Sequence, residues 1–199
     1  MTAPTDRLTL PNAISLARLL LAPVALWVAW QGEGTLYKWL FAVAIASDLA
    51  DGLLARLLHA QTVLGSRLDA AADTATYLVL FFAVRHLWPE FIAAHALLLG
   101  TSLGLYVLNH VFALVRFHKL PAYHTWAGKA SAVLMATGML TWFVTGVGGL
   151  FTAALVVSIA SVLEQFAITA LLPHWVADLP TVVHAWKKRH VAAADLPSK

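Results

Sequence analysis

The sequence predicts an all-α integral membrane protein, with six transmembrane helices in one bundle. Three observations lead there. Of 199 residues, 60% are hydrophobic and only 12% charged, about half the charged share of an ordinary soluble domain. Mean hydropathy is +0.76, and successive apolar stretches of roughly 20 residues or more are each long enough to cross a ~30 Å hydrocarbon core. Eight tryptophans suit interfacial belts better than a small soluble core.

The first helix is expected over residues 12–30, with Pro23 as a kink of the kind membrane helices tolerate. Gln31-Gly-Glu-Gly34 reads as a turn. The second helix is expected over 36–59 and the third over 63–87, with Trp88-Pro89-Glu90 as a break. The fourth covers 91–117, ended by His118-Lys-Leu-Pro121. The fifth covers 124–144, closed by Gly146-Val-Gly-Gly149, and the sixth covers 150–172. Met1 to Leu10 lacks the pattern of a cleaved signal peptide, so the first span is expected to be retained. The segment from Leu179 to His190 is apolar on one side with bases clustered at its end. It reads as an amphipathic helix on the inner leaflet, with a frayed polar tail as the alternative.

Basic residues set the orientation. With six spans, Arg7, Arg18, Arg56, Arg67, Arg116, Lys119, Lys129, Lys187, Lys188, Arg189 and Lys199 fall on or near one side, and only Lys38 and Arg85 on the other. The richer side is expected to face the cytoplasm, with both termini and the site described next. A multi-pass protein of a cell inner membrane is the expectation. The net charge of +3 is not pooled on one soluble face, so no nucleic-acid partner is expected. With no cysteine, disulfides and thiolate metal sites are excluded.

Four of the ten acidic residues stand inside this apolar chain, at Asp48, Asp51, Asp69 and Asp73. Carboxylates at membrane depth persist only where something neutralises them. Arg56 and Arg67, the arginines of the same stretch, are too few. Hard oxygen ligands point to magnesium, manganese or calcium rather than zinc. Asp48 and Asp51 share a helix face, continued by Gly52 and Ala55. Gly65, Asp69 and Asp73 form a second stripe at steps of four. Facing each other, the stripes would place four carboxylates around one cavity. That arrangement suits two cations about 3.5–4 Å apart clamping phosphoryl oxygens. Small residues leave room for a bulky ligand near the backbone. Arg56 and Arg67 could offset charge or fork onto phosphate, and pairing of Arg56 with Asp51 or Asp48 as a structural counterion is equally open.

Residues 48–73 resemble the signature of the CDP-alcohol phosphatidyltransferases, D-x2-D-G-x2-A-R-x8-G-x3-D-x3-D, at Asp48, Asp51, Gly52, Ala55, Arg56, Gly65, Asp69 and Asp73. Pro11-Asn12-Ala-Ile-Ser-Leu-Ala-Arg18 is similar to the lead-in of phosphatidylglycerophosphate and cardiolipin synthase members. The resemblance implies one membrane domain over 1–199 and transfer of a phosphatidyl group from CDP-diacylglycerol to a polar alcohol, with release of CMP. It implies two Mg2+ or Mn2+ ions on Asp48, Asp51 and Asp69, with Asp73 completing the ligand set and also acting as base toward the acceptor hydroxyl. Gly52, Ala55 and Gly65, with Asp51 and Arg56, would line the donor pocket. Arg18 would bind donor phosphates or anchor the first helix. A homodimer is also implied, and Gly100, Gly104, Gly138 and Gly146 could permit close helix contacts.

The acceptor alcohol stays open. Arg116, Lys119 and Lys129 could grip an acceptor phosphate, with His118, Tyr123 and His124 nearby, and Arg67 is a further candidate. Loop charge that sets topology explains Arg116 and Lys119 equally well. Trp126-Ala-Gly-Lys129 is similar to the W-x-G-K of phosphatidylglycerophosphate synthases, whereas Asn109-His110 replaces their arginine–glutamate pair. Glu164, within the sixth span, is expected to serve function, a subunit contact or a bond to Asn109. His95 and His110 read as packing residues. Two rival functions are a CDP-choline-type phosphotransferase with a lipid acceptor and a divalent-cation transporter. Transport predicts carboxylates spread through both leaflets and paired repeats, and neither pattern is present.

Overall fold

A computed structural model describes residues 9–58, 62–123 and 125–187. Arg7, His59, His124, Lys188, Arg189, His190 and Lys199 lie outside them. Secondary structure among the described residues is helical, without strands. The helices are α1 (Leu10–Trp30), α2 (Gly34–Leu57), α3 (Val63–Leu87), α4 (Pro89–Phe117), α5 (Trp126–Thr145) and α6 (Gly149–Leu171), followed by a short α7 over 182–187. Threonine hydroxyls start three of them. Thr9 accepts from the Asn12 amide, Thr62 from Gly65 and Thr125 from Gly128, each satisfying an N–H that has no partner inside its own helix. Gly146 closes α5 at φ 74°, a left-handed cap that suits glycine. Pro89 begins α4 rather than breaking the chain, because a missing N–H costs nothing in a first turn.

Among the described residues, four helices are long and apolar enough to cross a membrane: α1, α4, α5 and α6. The expected six spans are therefore met by four on composition. α2 and α3 have the length, at 24 and 25 residues, but carry the aspartates and their flanking bases. Apolar side chains such as Leu97, Val115 and Val144 are exposed, as expected where lipid replaces water as the solvent.

The chain divides into two compact units, Met1–Ala94 and His95–Lys199. In the first, α1 packs along both α2 and α3, which barely meet each other. One end of this unit is aromatic. Trp30 stacks on His86 with ring centroids 5.8 Å apart, and Lys38 Nζ lies 5.3 Å from the Trp88 ring centre. A Cβ on Gly34 would come within 3.0 Å of that same ring.

In the second unit α5 lies along α6. A Cβ on Gly138 would come within 2.8 Å of the Phe151 backbone nitrogen, so this glycine serves close packing inside the chain. α4 runs parallel to α6 along a hydrogen-bonded ladder. His95 Nε2 is 3.1 Å from Thr152 Oγ1, and the Ser102 and Ser158 hydroxyls are 2.9 Å apart. Thr169 Oγ1 donates to Asn109 Oδ1 at 3.3 Å, and Arg116 Nη2 donates to the Leu172 carbonyl at 3.0 Å. The α4 members recur every seven residues. Such bonds replace the hydrophobic drive that lipid-embedded helices lack.

Beyond α6 the chain returns over its own unit. Leu179 and Ala185 are buried with Tyr123, Ile168 and Leu172. The Asp178 amide donates to the Ala122 carbonyl at 3.0 Å, and the Trp126 amide to Pro180 at 3.1 Å. The expected amphipathic segment is thus helical over 182–187, ruling out a frayed tail there. Part of its apolar side packs inward, while Val183 and Trp186 stay exposed.

Candidate metal centre

Helix periodicity carries Asp48 and Asp51 on α2 and Asp69 and Asp73 on α3 toward a common point, and α1 fills the space between. Oxygens of Asp48, Asp51 and Asp69 lie within 4.8 Å of one another, a group that could hold a metal ion. Asp73 stands outside that group. Arg18, buried to 3% exposure, joins all four carboxylates. Its Nη1 pairs with Asp48 and, at 3.0 Å, with Asp73. Its Nη2 lies 2.7 Å from Asp69 and 3.4 Å from Asp51. Ser15 Oγ donates to Asp51 Oδ2 at 2.8 Å. One guanidinium against four carboxylates leaves a formal deficit of three positive charges. An all-carboxylate oxygen set with that deficit fits a hard divalent cation.

The sequence leaves most of the countercharge to metal, with Arg56 and Arg67 as possible offsets for the remainder, and the structure gives that offset to a different arginine. Arg56 is exposed, and its Nε donates to the Gly52 carbonyl at 3.0 Å rather than to Asp51 or Asp48. Arg67 is exposed. Arg18 is the counterion, although its distance along the chain from the aspartates hid that role. An arginine inside a spanning helix was the available signal.

Beside the carboxylates lies a cavity of about 350 Å³. Asp51, Asp69, Gly52, Ala55, Arg56 and Gly65 all border it, so most of the residues expected to line a donor pocket border one cavity. Arg18 does not border it, and lies behind the carboxylates instead. A Cβ on Gly52 would meet nothing within 4 Å, so this side stays open. Gly65 differs. A Cβ there would strike the Asn12 amide oxygen and lie 3.0 Å from Thr62 Oγ1. Asn12, buried to 1%, donates from Nδ2 to Thr62 Oγ1 at 3.1 Å, locking the start of α1 to the start of α3. Pro11, Asn12, Ser15, Thr62 and Ser66 also border the cavity. All five lie in stretches singled out in the sequence, the first three in 11–18 and the last two in 48–73, although none of them was assigned to the pocket.

The remaining candidates belong to the second unit. Arg116 reaches the Leu172 carbonyl, and Lys129 Nζ rests 4.9 Å from the Trp126 ring centre. Lys119 Nζ lies 4.8 Å from the Trp175 ring centre. Burial raises the pKa of the Tyr123 phenol above the ordinary tyrosine value, partly offset by its hydrogen bond to Thr169 and by the nearby Arg116 charge. Glu164 Oε1 accepts from the Val182 amide at 3.1 Å. Asn109 accepts from Thr169 instead, so of the three alternatives left open for Glu164 the bond to Asn109 is not the one formed. His95 and His110 are satisfied packing residues, the latter through the Tyr106 carbonyl at 2.9 Å.

A family model described as CDP-alcohol phosphatidyltransferase matches residues 8–186. The chain belongs to this family. It is accordingly a transferase of phospholipid biosynthesis. Similar proteins include a probable phosphatidylglycerophosphate synthase of Mycobacterium tuberculosis, 31% identical over 77% of this chain and 75% of the relative. A CDP-diacylglycerol–glycerol-3-phosphate 3-phosphatidyltransferase of Aquifex aeolicus is 28% identical over 85% of this chain and 93% of its own. The CMP-forming cardiolipin synthase of Rattus norvegicus is 30% identical over 60% of this chain and 39% of that protein. No solved structure matches. The match of the phosphatidyltransferase family model runs through both units of the fold.

Proposed function

We propose that the chain transfers the phosphatidyl group of CDP-diacylglycerol to a polar alcohol, using two Mg2+ or Mn2+ ions at the aspartate cluster. The supporting observation is the convergence of two carboxylate stripes beside an open cavity, at a net charge that rejects a diphosphate unless cations intervene. Asp48, Asp51 and Asp69 hold the ions. Held there, such ions would supply the positive charge that a diphosphate and a departing CMP require. Gly52, Ala55 and Gly65 admit the donor beside the backbone, and Arg56 reaches its phosphates. The acceptor hydroxyl oxygen attacks the phosphatidyl phosphorus, the bond to the bridging oxygen breaks, and CMP leaves with that electron pair. Asp73 takes the hydroxyl proton.

The names of the relatives favour a glycerol-linked acceptor such as glycerol 3-phosphate. Arg67, Arg116 and Lys129 are each, separately, candidates for holding its phosphate. We place the carboxylates and both termini at the cytoplasmic side of a cell inner membrane, with α2 and α3 crossing as well. At ~1.5 Å per residue both exceed the hydrocarbon thickness, and a neutralised aspartate cluster lowers the cost of crossing. The two units then act as one membrane domain, and two copies of the chain form a homodimer.

The test is CMP release from CDP-diacylglycerol by the purified protein, with glycerol 3-phosphate, phosphatidylglycerol, inositol phosphate and inositol as separate acceptors. Release should stop in chelator and return with Mg2+ or Mn2+. Full activity in chelator refutes the metal assignment. Turnover only with CDP-choline and diacylglycerol selects the CDP-alcohol phosphotransferase reaction instead.

A further inference from the structure

We infer that Arg18 is a resident competitor of the metal: a positioning residue whose guanidinium must give up part of the aspartate cluster for a cation to load. This rests on the metal reading proposed above and adds a residue outside the signature.

Among the described residues, every side-chain hydrogen bond of Arg18 goes to the cluster. Nη2 is committed to Asp69 and Asp51, and Nη1 to Asp48 and Asp73. Three of these residues form the group that could chelate an ion. A divalent ion holds oxygens at about 2.0–2.6 Å, so it and the guanidinium cannot both engage all three carboxylates.

Charge decides how far Arg18 retreats. Four carboxylates and Arg18 sum to −3. One divalent ion brings the site to −1 and two bring it to +1, and the diphosphate of a bound donor returns it below zero. No stage of that sequence expels the arginine. Its burial at 3% also holds it within the α1 packing. Asp73, the carboxylate outside the chelating group, is where the guanidinium stays.

A second observation concerns the other side of Arg18. Its Nε is buried and, among the described residues, has no hydrogen-bond partner. A cavity of about 20 Å³ is bordered by Arg18 together with Thr76 and Tyr37. That is room for one water, and it leaves slack behind a group that must shift.

The experiment is a Mn2+ titration followed by electron paramagnetic resonance. It uses the full chain in detergent after chelator treatment, comparing wild type with Arg18→Gln, Arg18→Lys and the remote Arg85→Gln. Competition predicts that Arg18→Gln binds Mn2+ more tightly by roughly 10–100-fold, the usual range when two ligands are coupled. Arg18→Lys should fall between Arg18→Gln and wild type, because an ammonium keeps the charge but loses the fork. Arg85→Gln should match wild type. Without metal, Arg18→Gln should melt below wild type, with a larger rise on adding Mn2+. Unchanged or weaker Mn2+ binding by a folded Arg18→Gln would overturn the inference and make Arg18 a scaffold. If that variant unfolds without metal, the same reading is taken from Arg18→Lys. A wild type that binds no Mn2+ removes the metal centre itself, an outcome distinct from equal binding by all variants.

Discussion

Asp73 and Asp48 grip the same guanidinium nitrogen, yet only Asp48 belongs to the group within 4.8 Å. Their substitutions should therefore differ. Asp73→Asn should keep Mn2+ and donor binding while lowering turnover by roughly 10²–10⁴-fold, the span of general-base effects. Asp48→Asn should lose metal and donor affinity together. Equal loss of donor affinity in both would sink the division of roles. Gly65 offers a purely steric test. Alanine there must displace the buried Asn12 amide from Thr62, so Gly65→Ala should destabilise the protein by about 1–3 kcal/mol, read as a fall in melting temperature. A melting point equal to wild type would show that the α1–α3 joint tolerates a methyl group. The aspartates were legible because steps of three and four share one helix face. The counterion was not, because charges on different helices meet only through packing. The part played by Gly65 was legible only as a motif position, since Asn12 gives it steric meaning from another helix.

At the scale of elements, a polar residue recurs every seven positions along α4, at His95, Ser102, Asn109 and Arg116. The period is plain in the sequence once sought. It is easily passed over because each member, taken singly, reads as an isolated polar residue in an apolar span. Glu164 shows the opposite case. Its depth in α6 suggested function, whereas it caps the chain entering α7 through the Val182 amide. Glu164→Ala should speed hydrogen exchange across residues 181–187 and cost about 1 kcal/mol. Glu164→Gln keeps an acceptor oxygen and should behave as wild type. Slow exchange in the alanine variant would show that the buried contacts of Leu179 and Ala185 hold this segment unaided. Helix ends were read to within a few residues, and the differences have local causes. Thr125 caps α5, so the helix begins at Trp126 rather than at the expected residue 124, and Pro89 opens a helix where it was read as a break.

At the scale of the whole molecule, α4 leaves Gly100 and Gly104 exposed, with nothing within 4 Å of an added Cβ on either. Gly138 and Gly146 are already used within the chain. A homodimer built on small residues should therefore use the α4 pair. Gly104→Leu should shift the detergent-solubilised protein from dimer to monomer by mass measurement, and an unchanged dimer would exclude that face. The all-helical membrane architecture was legible from composition. The count of spans was less so, because the carboxylates that make the site also lower the apolarity of the two helices that carry it. The position of α1 between α2 and α3 has a further consequence, for biogenesis. Chains are made N-terminus first, so α1 precedes both acidic helices out of the ribosome. Asp48 and Asp51, and later Asp69 and Asp73, then enter a bilayer that already holds their cation. We predict that Arg18→Gln lowers the membrane insertion of α2 in a glycosylation-tag assay, and that deleting α1 lowers it further. Insertion of α2 at full efficiency without α1 would contradict this order of assembly. If it holds, the eight signature residues are an incomplete recipe, and the earliest helix is the template on which the reactive centre is cast.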